Sequence, residues 1–280
     1  GRYAELSGSY RYSDYTTTGG DDVYGINLVY RPVPELAFKS SFNTSFRAPN
    51  LTDNFNPDTQ TFANGFVDAC ATGQIALQNA EVRANRIANC TALATAAGFT
   101  FDFAGATATN LDDYNPIYSS GIAGINSGNP NLTPETSESK TLGLVYSSSF
   151  VPGLSVAVDW WNIRIEDTIV ADTPTQMLND CYIQNDAARC AAFTRDPVLG
   201  FVNNLTFNGI NAGYRETEGY DLDLSYRLAT EAAGDFRLVW QTTYTARDEI
   251  KTDTNPLTLP QQLVGYATSP GFLGTHRIRS

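Results

Sequence analysis

Period-two alternation of apolar and polar side chains is the feature that most restricts the fold of this chain. In each of seven segments, apolar residues take one set of alternate positions, and polar or small residues take the other. Successive side chains of a β-strand point to opposite faces of a sheet, so each segment is predicted to be a strand with one apolar and one polar face. The segments are residues 3–13, 23–31, 36–46, 139–147, 154–167, 217–228 and 236–246.

One segment changes phase at a pair of tryptophans. Up to Trp160 the apolar residues are even-numbered, and from Trp161 onward, through Ile163 and Ile165, they are odd-numbered. A β-bulge at the tryptophan pair would restore the facing of the strand. An exit of the strand from the apolar layer at that point would explain the pattern equally well.

The connections between the predicted strands alternate in length. Short turns on one rim and long loops on the other are the layout of an outer-membrane β-barrel. The first long connection contains a predicted helix at residues 80–98, which is rich in alanine and arginine and ends at Gly98. The short connections are 31–35, 149–154 and 228–235, and the long ones are 47–138, 168–216 and about 250–274.

Alternation alone also fits a soluble β-sandwich, in which the apolar face points inward. Two details favour a membrane barrel. Aromatic residues cluster at the ends of the predicted strands, where interfacial girdles would place them. The opposite faces carry charged residues that suit a wet lumen, among them Asp221, Asp223 and Arg227. We therefore predict an all-β, antiparallel transmembrane β-barrel, with Leu222 and Leu224 facing lipid and these three residues facing the lumen.

Charge and hydropathy exclude several classes of partner. The net charge of −12 argues against a nucleic-acid partner, which requires a basic face. No run of 18 apolar residues is present, so a transmembrane helix is not predicted. Barrel strands carry a much weaker hydropathy signal, so a membrane location remains compatible with the sequence.

The four cysteines fall into two local pairs, Cys70 with Cys90 and Cys181 with Cys190, in stretches without strand pattern. An even number of cysteines in polar loops suits an oxidising compartment, and two loop disulfides are predicted. Four reduced thiols and a zinc site are the alternatives, but the spacing lacks paired C-x-x-C motifs.

Recognisable catalytic motifs are absent from the sequence. The single histidine, His276, has no nucleophile-elbow serine to accompany it. Neither a phosphate-binding P-loop nor a dinucleotide glycine fingerprint occurs. Asp221 and Asp223 share one strand face, but lining a lumen is the favoured interpretation over acid–base work. We predict no enzyme activity, no catalytic residues, no cofactor and no metal site.

Two stretches resemble signatures of TonB-dependent outer-membrane receptors. "SFRAPNLTDNF" (45–55) is similar to the family's Phe-Arg-Ala-Pro-x-Leu-x-x-Leu-Phe motif, and "GNPNLTPETSESKTLGLVY" (128–146) is similar to its Asn-Pro-x-Leu-x-Pro-Glu stretch. Segments 152–169 and 216–228 look like the family's next two strands, in the same order. The matching motif residues are Phe46, Arg47, Ala48, Pro49, Asn50, Leu51, Asn129, Pro130, Leu132, Pro134 and Glu135.

The resemblance implies a partial arc of about seven to eight strands, forming one domain over 1–280 with 47–138 and 168–216 as extracellular loops. The family's plug domain, its TonB box and its carboxy-terminal strand are not found, so the chain is expected to be a fragment. The implied function is TonB-dependent active uptake of a scarce nutrient across the bacterial outer membrane. The implied partners are outer-membrane lipid, the TonB complex acting through the plug, and a small-molecule or oligomeric ligand of the sugar, peptide, siderophore or cobalamin type.

A passive porin, a barrel enzyme and a soluble β-sandwich adhesin are the alternatives to this function. The motif residues also have structural interpretations. Pro49 cannot donate to a strand ladder and so ends its strand. Motif logic suggests that Arg47 pairs with Glu135 at the rim.

Overall fold

The computed structural model of the chain describes residues 3–63, 66–98, 101, 103, 114–118, 121–230, 234–253, 259–265 and 276–279. Strands and helices follow one another in an order that separates a large sheet from a smaller mixed unit. The elements are β1 (Tyr3–Tyr15), β2 (Gly19–Val33), β3 (Leu36–Arg47), α1 (Leu51–Phe55), β4 (Thr59–Ala63), α2 (Thr72–Ala76), α3 (Ala80–Ala97), β5 (Ile122–Ser127), β6 (Glu135–Ser147), β7 (Leu154–Glu166), β8 (Ile169–Ala171), α4 (Pro174–Gln184), α5 (Ala187–Ala191), β9 (Thr194–Arg195), β10 (Val202–Asn203), β11 (Leu205–Asn211), β12 (Tyr214–Thr230), β13 (Gly234–Lys251), β14 (Gln261–Gln262) and β15 (His276–Arg279).

The large sheet, here named the wall, is nine-stranded, with the order β1-β2-β3-β6-β7-β12-β13-β14 and with β15 also paired to β13. Every pairing within it is antiparallel. All seven predicted strands lie in the wall, so the predicted all-β antiparallel fold is confirmed. The described strands form an open arc rather than a closed barrel.

Cross-strand pairing carries the two-faced pattern across the whole wall. Leu142 lies opposite Trp160, Trp160 opposite Tyr220, and Tyr220 opposite Tyr244. Directly paired residues share a face, so the even-numbered apolar residues of neighbouring strands form one continuous surface. That surface is uncovered, with Leu6 73% exposed and Leu142 55% exposed. A soluble sandwich would bury it, so the sandwich alternative is wrong.

The predicted bulge at the tryptophan pair is absent. β7 pairs with β6 and with β12 in unbroken register past Trp160 and Trp161. The register shift lies instead between β12 and β13, where Ala246 is the extra residue opposite Glu218 and Gly219. Trp161 therefore turns to the polar face, where a side chain at Gly219 would come within 2.6 Å of its ring. The second alternative is therefore the correct one: β7 leaves the apolar layer after Trp160, because the next residue on that face is the polar Asn162.

The lengths of the connections differ between the two rims of the wall as predicted, with one exception. The wall has a short-turn rim, where 34–35 join β2 to β3 and 148–153 join β6 to β7. At the opposite loop rim, β3 leads into the first long connection (48–134) and β7 leads into the second (167–213). On the loop rim, β1 and β2 are joined by a turn of only Thr16–Thr18. The predicted turn at 228–235 and the predicted loop at 250–274 lie partly outside the described residues.

The two long connections do not stand apart as separate loops. They fold into one unit, here named the cap, which contains a four-stranded sheet in the order β4-β5-β11-β8. β5 comes from the first connection and β11 from the second, and the two pair in parallel. One core joins both halves, because Ile75, Cys90 and Phe103 pack with Met177, Leu178 and Tyr182.

The helix predicted at residues 80–98 is confirmed as α3. Asn79 caps its first turn by accepting from the Val82 amide at 2.9 Å, and Gly98 ends it in the left-handed conformation at φ 89°. Val82, Cys90 and Ala94 on one side of the helix are buried in the cap core. Among the described helices, none is both long enough and apolar enough to cross a membrane.

Candidate functional site

The motif residues meet where the cap joins the loop rim. Arg47 ends β3 and Glu135 begins β6, and the two are register partners. The guanidinium donates twice to the carboxylate, from Nε to Oε2 at 2.7 Å and from Nη2 to Oε1 at 2.9 Å. The Arg47–Glu135 pairing suggested by the sequence is therefore confirmed. Two parallel charge-assisted bonds fix the geometry as well as the distance.

This pair also anchors both halves of the cap. Glu135 Oε1 accepts from the backbone amide of Ile169 at 2.6 Å, which ties down the start of the second connection. Arg47 Nη1 lies 3.5 Å from Asp53, which belongs to the first connection. Because one ion pair bonds to both connections, it sets their positions relative to the wall.

The remaining motif residues build the same junction. Pro49 is buried and lies two residues after Arg47, the last residue of β3. The helix α1 then begins with a capping box, in which Asn50 accepts from the Asp53 amide at 2.8 Å and Asp53 accepts from the Asn50 amide at 2.9 Å. Asn129 donates from its backbone to Asp53 O and from its side chain to Gly209 O. Leu132 is buried, whereas Leu51 is 73% exposed. Phe46, Ala48, Pro130 and Pro134 lie in the same two chain segments.

The three charged residues predicted to line a lumen lie elsewhere, along the wall. Asp221 accepts from Thr243 at 2.7 Å and Asp223 accepts from Gln241 at 2.8 Å, both across to β13. Arg227 pairs with Asp235 at 2.7 Å near the short-turn rim. All three lie on the polar face, and none of these bonds connects them with the motif junction.

A buried ion pair that the sequence did not predict locks the two halves of the cap together. Arg195 Nη1 and Nη2 each lie 2.8 Å from an oxygen of Asp68, and both side chains are at most 4% exposed. Tyr114 donates to the Asp68 carboxylate, and Tyr182 accepts from Arg195 Nε at 2.6 Å. A buried charge pair is tolerated only when its remaining atoms are hydrogen-bonded, as they are here.

The electrostatics of this pair follow from its surroundings. Burial alone would raise the pKa of Asp68, but the charge and hydrogen bonds of Arg195 outweigh it and hold that pKa below its usual range. Burial raises the pKa of Tyr182 to about 12. The two partners are 127 residues apart in the chain, so no local pattern pointed to them.

Both predicted disulfides are confirmed. Cys70 is bonded to Cys90 on α3, and Cys181 on α4 is bonded to Cys190 on α5. Cys70, Cys90 and Cys181 are buried in the cap core. Each disulfide therefore cross-links one half of the cap, and the Asp68–Arg195 ion pair connects the two halves.

An open cleft of about 460 Å³ lies beside the junction, between α1, the sheet of the cap and β8. It has the size of a small-ligand site. Its aromatic lining residues are Phe62 and Phe207, and its amide side chains come from Asn56, Asn126 and Asn208. The described residues hold no group of three or more histidine, cysteine, aspartate or glutamate side chains placed to bind a metal.

The two carboxylates that line this cleft, Asp53 and Asp172, are each paired with an arginine that also pairs with a second carboxylate. Within the described part of the chain, no lysine, arginine or histidine lines the cleft. Asp53 is held by Arg47 and by the Asn50 amide. Asp172 accepts two bonds from Arg189, both at 2.6 Å. The described lining can therefore offer amides, hydroxyls and aromatic rings to a ligand, but no unpaired basic group.

Comparisons with known proteins agree with this architecture. A family model described as TonB dependent receptor-like, beta-barrel matches residues 2–274. The siderophore receptor PirA from Acinetobacter baumannii is similar in structure, with a TM-score of 0.56, 16% identity, and coverage of 98% of this chain and 28% of that one. A mutant of the ferric enterobactin receptor PfeA from Pseudomonas aeruginosa has a TM-score of 0.52, 15% identity, and coverage of 87% and 24%.

These structural likenesses, at such low identity, show the fold alone. The chain spans about a quarter of the length of either receptor. No curated protein matches the sequence.

Proposed function

We propose that this chain supplies part of the barrel wall and the ligand-capturing cap of a receptor for TonB-dependent nutrient uptake across the outer membrane. The proposal starts from the family, because the chain belongs to the TonB-dependent receptor-like β-barrel family. The family is one of transporters and receptors rather than enzymes. The observation that carries the proposal is the union of two long connections into one folded cap, anchored on the loop rim of a wall with an uncovered apolar face.

The apolar face of the wall is the lipid side in this proposal. It ends toward the loop rim at Trp160 and Tyr220, and polar residues follow at once. The indole of Trp160 donates to Glu218 at 3.0 Å, and Asn162, the next residue on that face of β7, donates to Glu216 at 2.8 Å. An aromatic body in the apolar layer with its polar tip bonded outside it is typical of a membrane interface.

The opposite face is the lumen side. Its polar groups bond one another across strands, as Ser41 does with Thr141 at 2.6 Å and Asp221 with Thr243. Such a face needs water or a plug rather than lipid beside it. β1 has one partner among the described strands, and an open strand edge is not tolerated in lipid. We therefore infer that the arc is completed by further wall strands, and that residues 1–280 belong to one barrel domain.

The cap captures the ligand, and energy comes from the inner-membrane complex through a plug domain inside the barrel. Both roles are inferred from the family to which the chain belongs. The anchoring of the cap supports the first role, because Arg47 and Glu135 bind the cap to the wall and a ligand held by the cap is therefore held at the loop rim.

Removing the whole cap from the full-length protein tests the proposal. Deleting only the first connection would leave Met177, Leu178 and Tyr182 without their core partners. The informative variant therefore replaces 59–127 and 170–208 together with Gly-Ser linkers, which leaves the junction and wall intact. Outer-membrane level by blotting should match the parent protein, and uptake should be lost.

The parent protein should also lose uptake in cells that lack TonB or are treated with a protonophore. Normal uptake by the capless variant would contradict capture by the cap. Uptake that persists without TonB would support a passive porin instead.

A further inference from the structure

We propose that the cleft beside the junction binds a neutral, hydroxyl-rich ligand of the saccharide class. This inference rests on the proposed function and names the ligand chemistry for it. Its basis is the pairing of aromatic surface with amide and hydroxyl groups that make no other hydrogen bond, in a cleft whose described lining includes no basic residue.

An aromatic ring and an amide share a face in the cleft, because Phe207 on β11 and Asn126 on β5 are register partners. Phe62, on the edge strand β4, also lines the cleft and is 57% exposed. The ring of Phe207 lies against Gly124, where an added Cβ would come within 2.6 Å of it. Sugar rings present an apolar C–H face that packs on such surfaces, while their hydroxyls turn outward.

The polar groups nearby are free to bind those hydroxyls. Among the described residues, the side chains of Thr52, Asn56, Thr61 and Asn126 make no hydrogen bond to one another or to a neighbour, and all four line the cleft. An asparagine side chain offers both donors and an acceptor, which matches a pair of vicinal hydroxyls. Thr61 and Asn126 lie on the strands β4 and β5, so their positions are rigid.

The cap lacks cationic groups that an anionic ligand would require. Residues 48–134 and 167–213 contain four arginines, no lysine and twelve acidic residues. Each arginine is committed within the cap: Arg195 to Asp68, Arg189 to Asp172, Arg86 to Asn179, and Arg83 to two backbone carbonyls. An anionic ferric chelate would therefore meet excess negative charge and no available counter-charge.

Equilibrium binding to the purified full-length protein in detergent tests the ligand class. The probes are four neutral disaccharides (maltose, cellobiose, xylobiose and diacetylchitobiose) and their trimers, with ferric tris-catecholate as the anionic comparison. We expect saturable binding of at least one saccharide series by titration calorimetry and none of the ferric complex. Binding of the ferric complex, or of no saccharide, would overturn the inference.

A matched pair of variants then locates the site. Phe62→Ala and Phe55→Ala each remove a phenylalanine that is 57% exposed, but only Phe62 lines the cleft. Phe62→Ala should weaken saccharide binding by roughly 10-fold, as loss of an aromatic contact does, and Asn126→Ala should weaken it as well. Phe55→Ala should stay within about twofold of the parent protein. Equal effects of the two phenylalanine variants would place the site elsewhere.

Uptake in cells separates this inference from the proposed function. If the parent protein imports a nutrient only with TonB present and Phe62→Ala imports it equally well, the receptor function stands and the saccharide cleft fails. If saccharide binding depends on Phe62 but uptake ignores TonB, the cleft stands and the receptor function fails.

Discussion

Replacing Arg195 with methionine is expected to open the cap without disturbing the wall. Methionine keeps much of the side-chain volume but leaves the Asp68 carboxylate, which has 0% side-chain exposure, without its counter-charge. Removing one partner of a buried pair typically costs about 3–5 kcal/mol, because the other charge is left uncompensated. Cap opening should then be favoured by a factor between about 10² and 10⁴, at about 1.4 kcal/mol for each factor of ten.

Amide hydrogen exchange of the full-length protein measures this cost directly. Peptides from α3 and α4 report on the two halves of the cap, because both helices pack in its core. Exchange in both should accelerate by the factor given above, and exchange in β6 and β7 should not change. The cost should shrink as pH falls from 7 to 5, because burial raises the pKa of an unpaired carboxyl and protonation then removes the charge.

Two further variants make this prediction refutable. Adding Asp68→Asn to Arg195→Met should recover part of the loss, since the buried charge is gone. Arg227→Met breaks an ion pair of similar length, 2.7 Å, whose side chains are 70% and 55% exposed. It should cost less than about 1 kcal/mol and leave the cap unaffected. Less than tenfold acceleration in Arg195→Met would refute the claim that this pair holds the halves of the cap together.

Three other predictions follow from the same structure. Leu222→Arg should destabilise the folded protein in lipid by roughly 2–4 kcal/mol and Asp223→Arg by much less, because only the first substitution places charge on the lipid side. Urea unfolding in vesicles measures both costs, and equal costs would contradict the assignment of Leu222 to the lipid side and Asp223 to the lumen side. Replacing Cys181 and Cys190 with serine should lower the local stability of α4 and α5 by about 2–3 kcal/mol in hydrogen exchange, and α3 should be spared. Burial, opposed by Arg189, raises the pKa of Asp180 to about 6, so its folded value lies above its unfolded one. Lowering the pH from 7 to 5 should therefore raise the protection factors of α4 amides, which are observed exchange rates corrected for the intrinsic rate at each pH, and this gain should vanish in Asp180→Asn.

The wall could be predicted from local sequence patterns. Side chains of a strand alternate between two faces, and residues paired across antiparallel strands lie on the same face. The alternation around Leu142 and Leu222 is therefore enough to predict the apolar surface. Local signals also sufficed for α3, which ends at Gly98, and for the two disulfides, whose cysteines are 20 and 9 residues apart. The Arg47–Glu135 pair came from motif resemblance rather than from periodicity.

The fold of the cap depends on contacts between residues that are distant in the chain. β4 and β11 are 5 and 7 residues long, and each is stabilised by pairing with β5, which no local pattern identifies as their common partner. The bulge fell at Ala246 rather than at the tryptophan pair, because Gly219 leaves room for Trp161 on the polar face. Asp68 and Arg195 are indistinguishable in sequence from solvated loop charges. Their burial depends on two connections meeting across 127 residues, and that contact is settled by packing of the shared core rather than by any short-range preference.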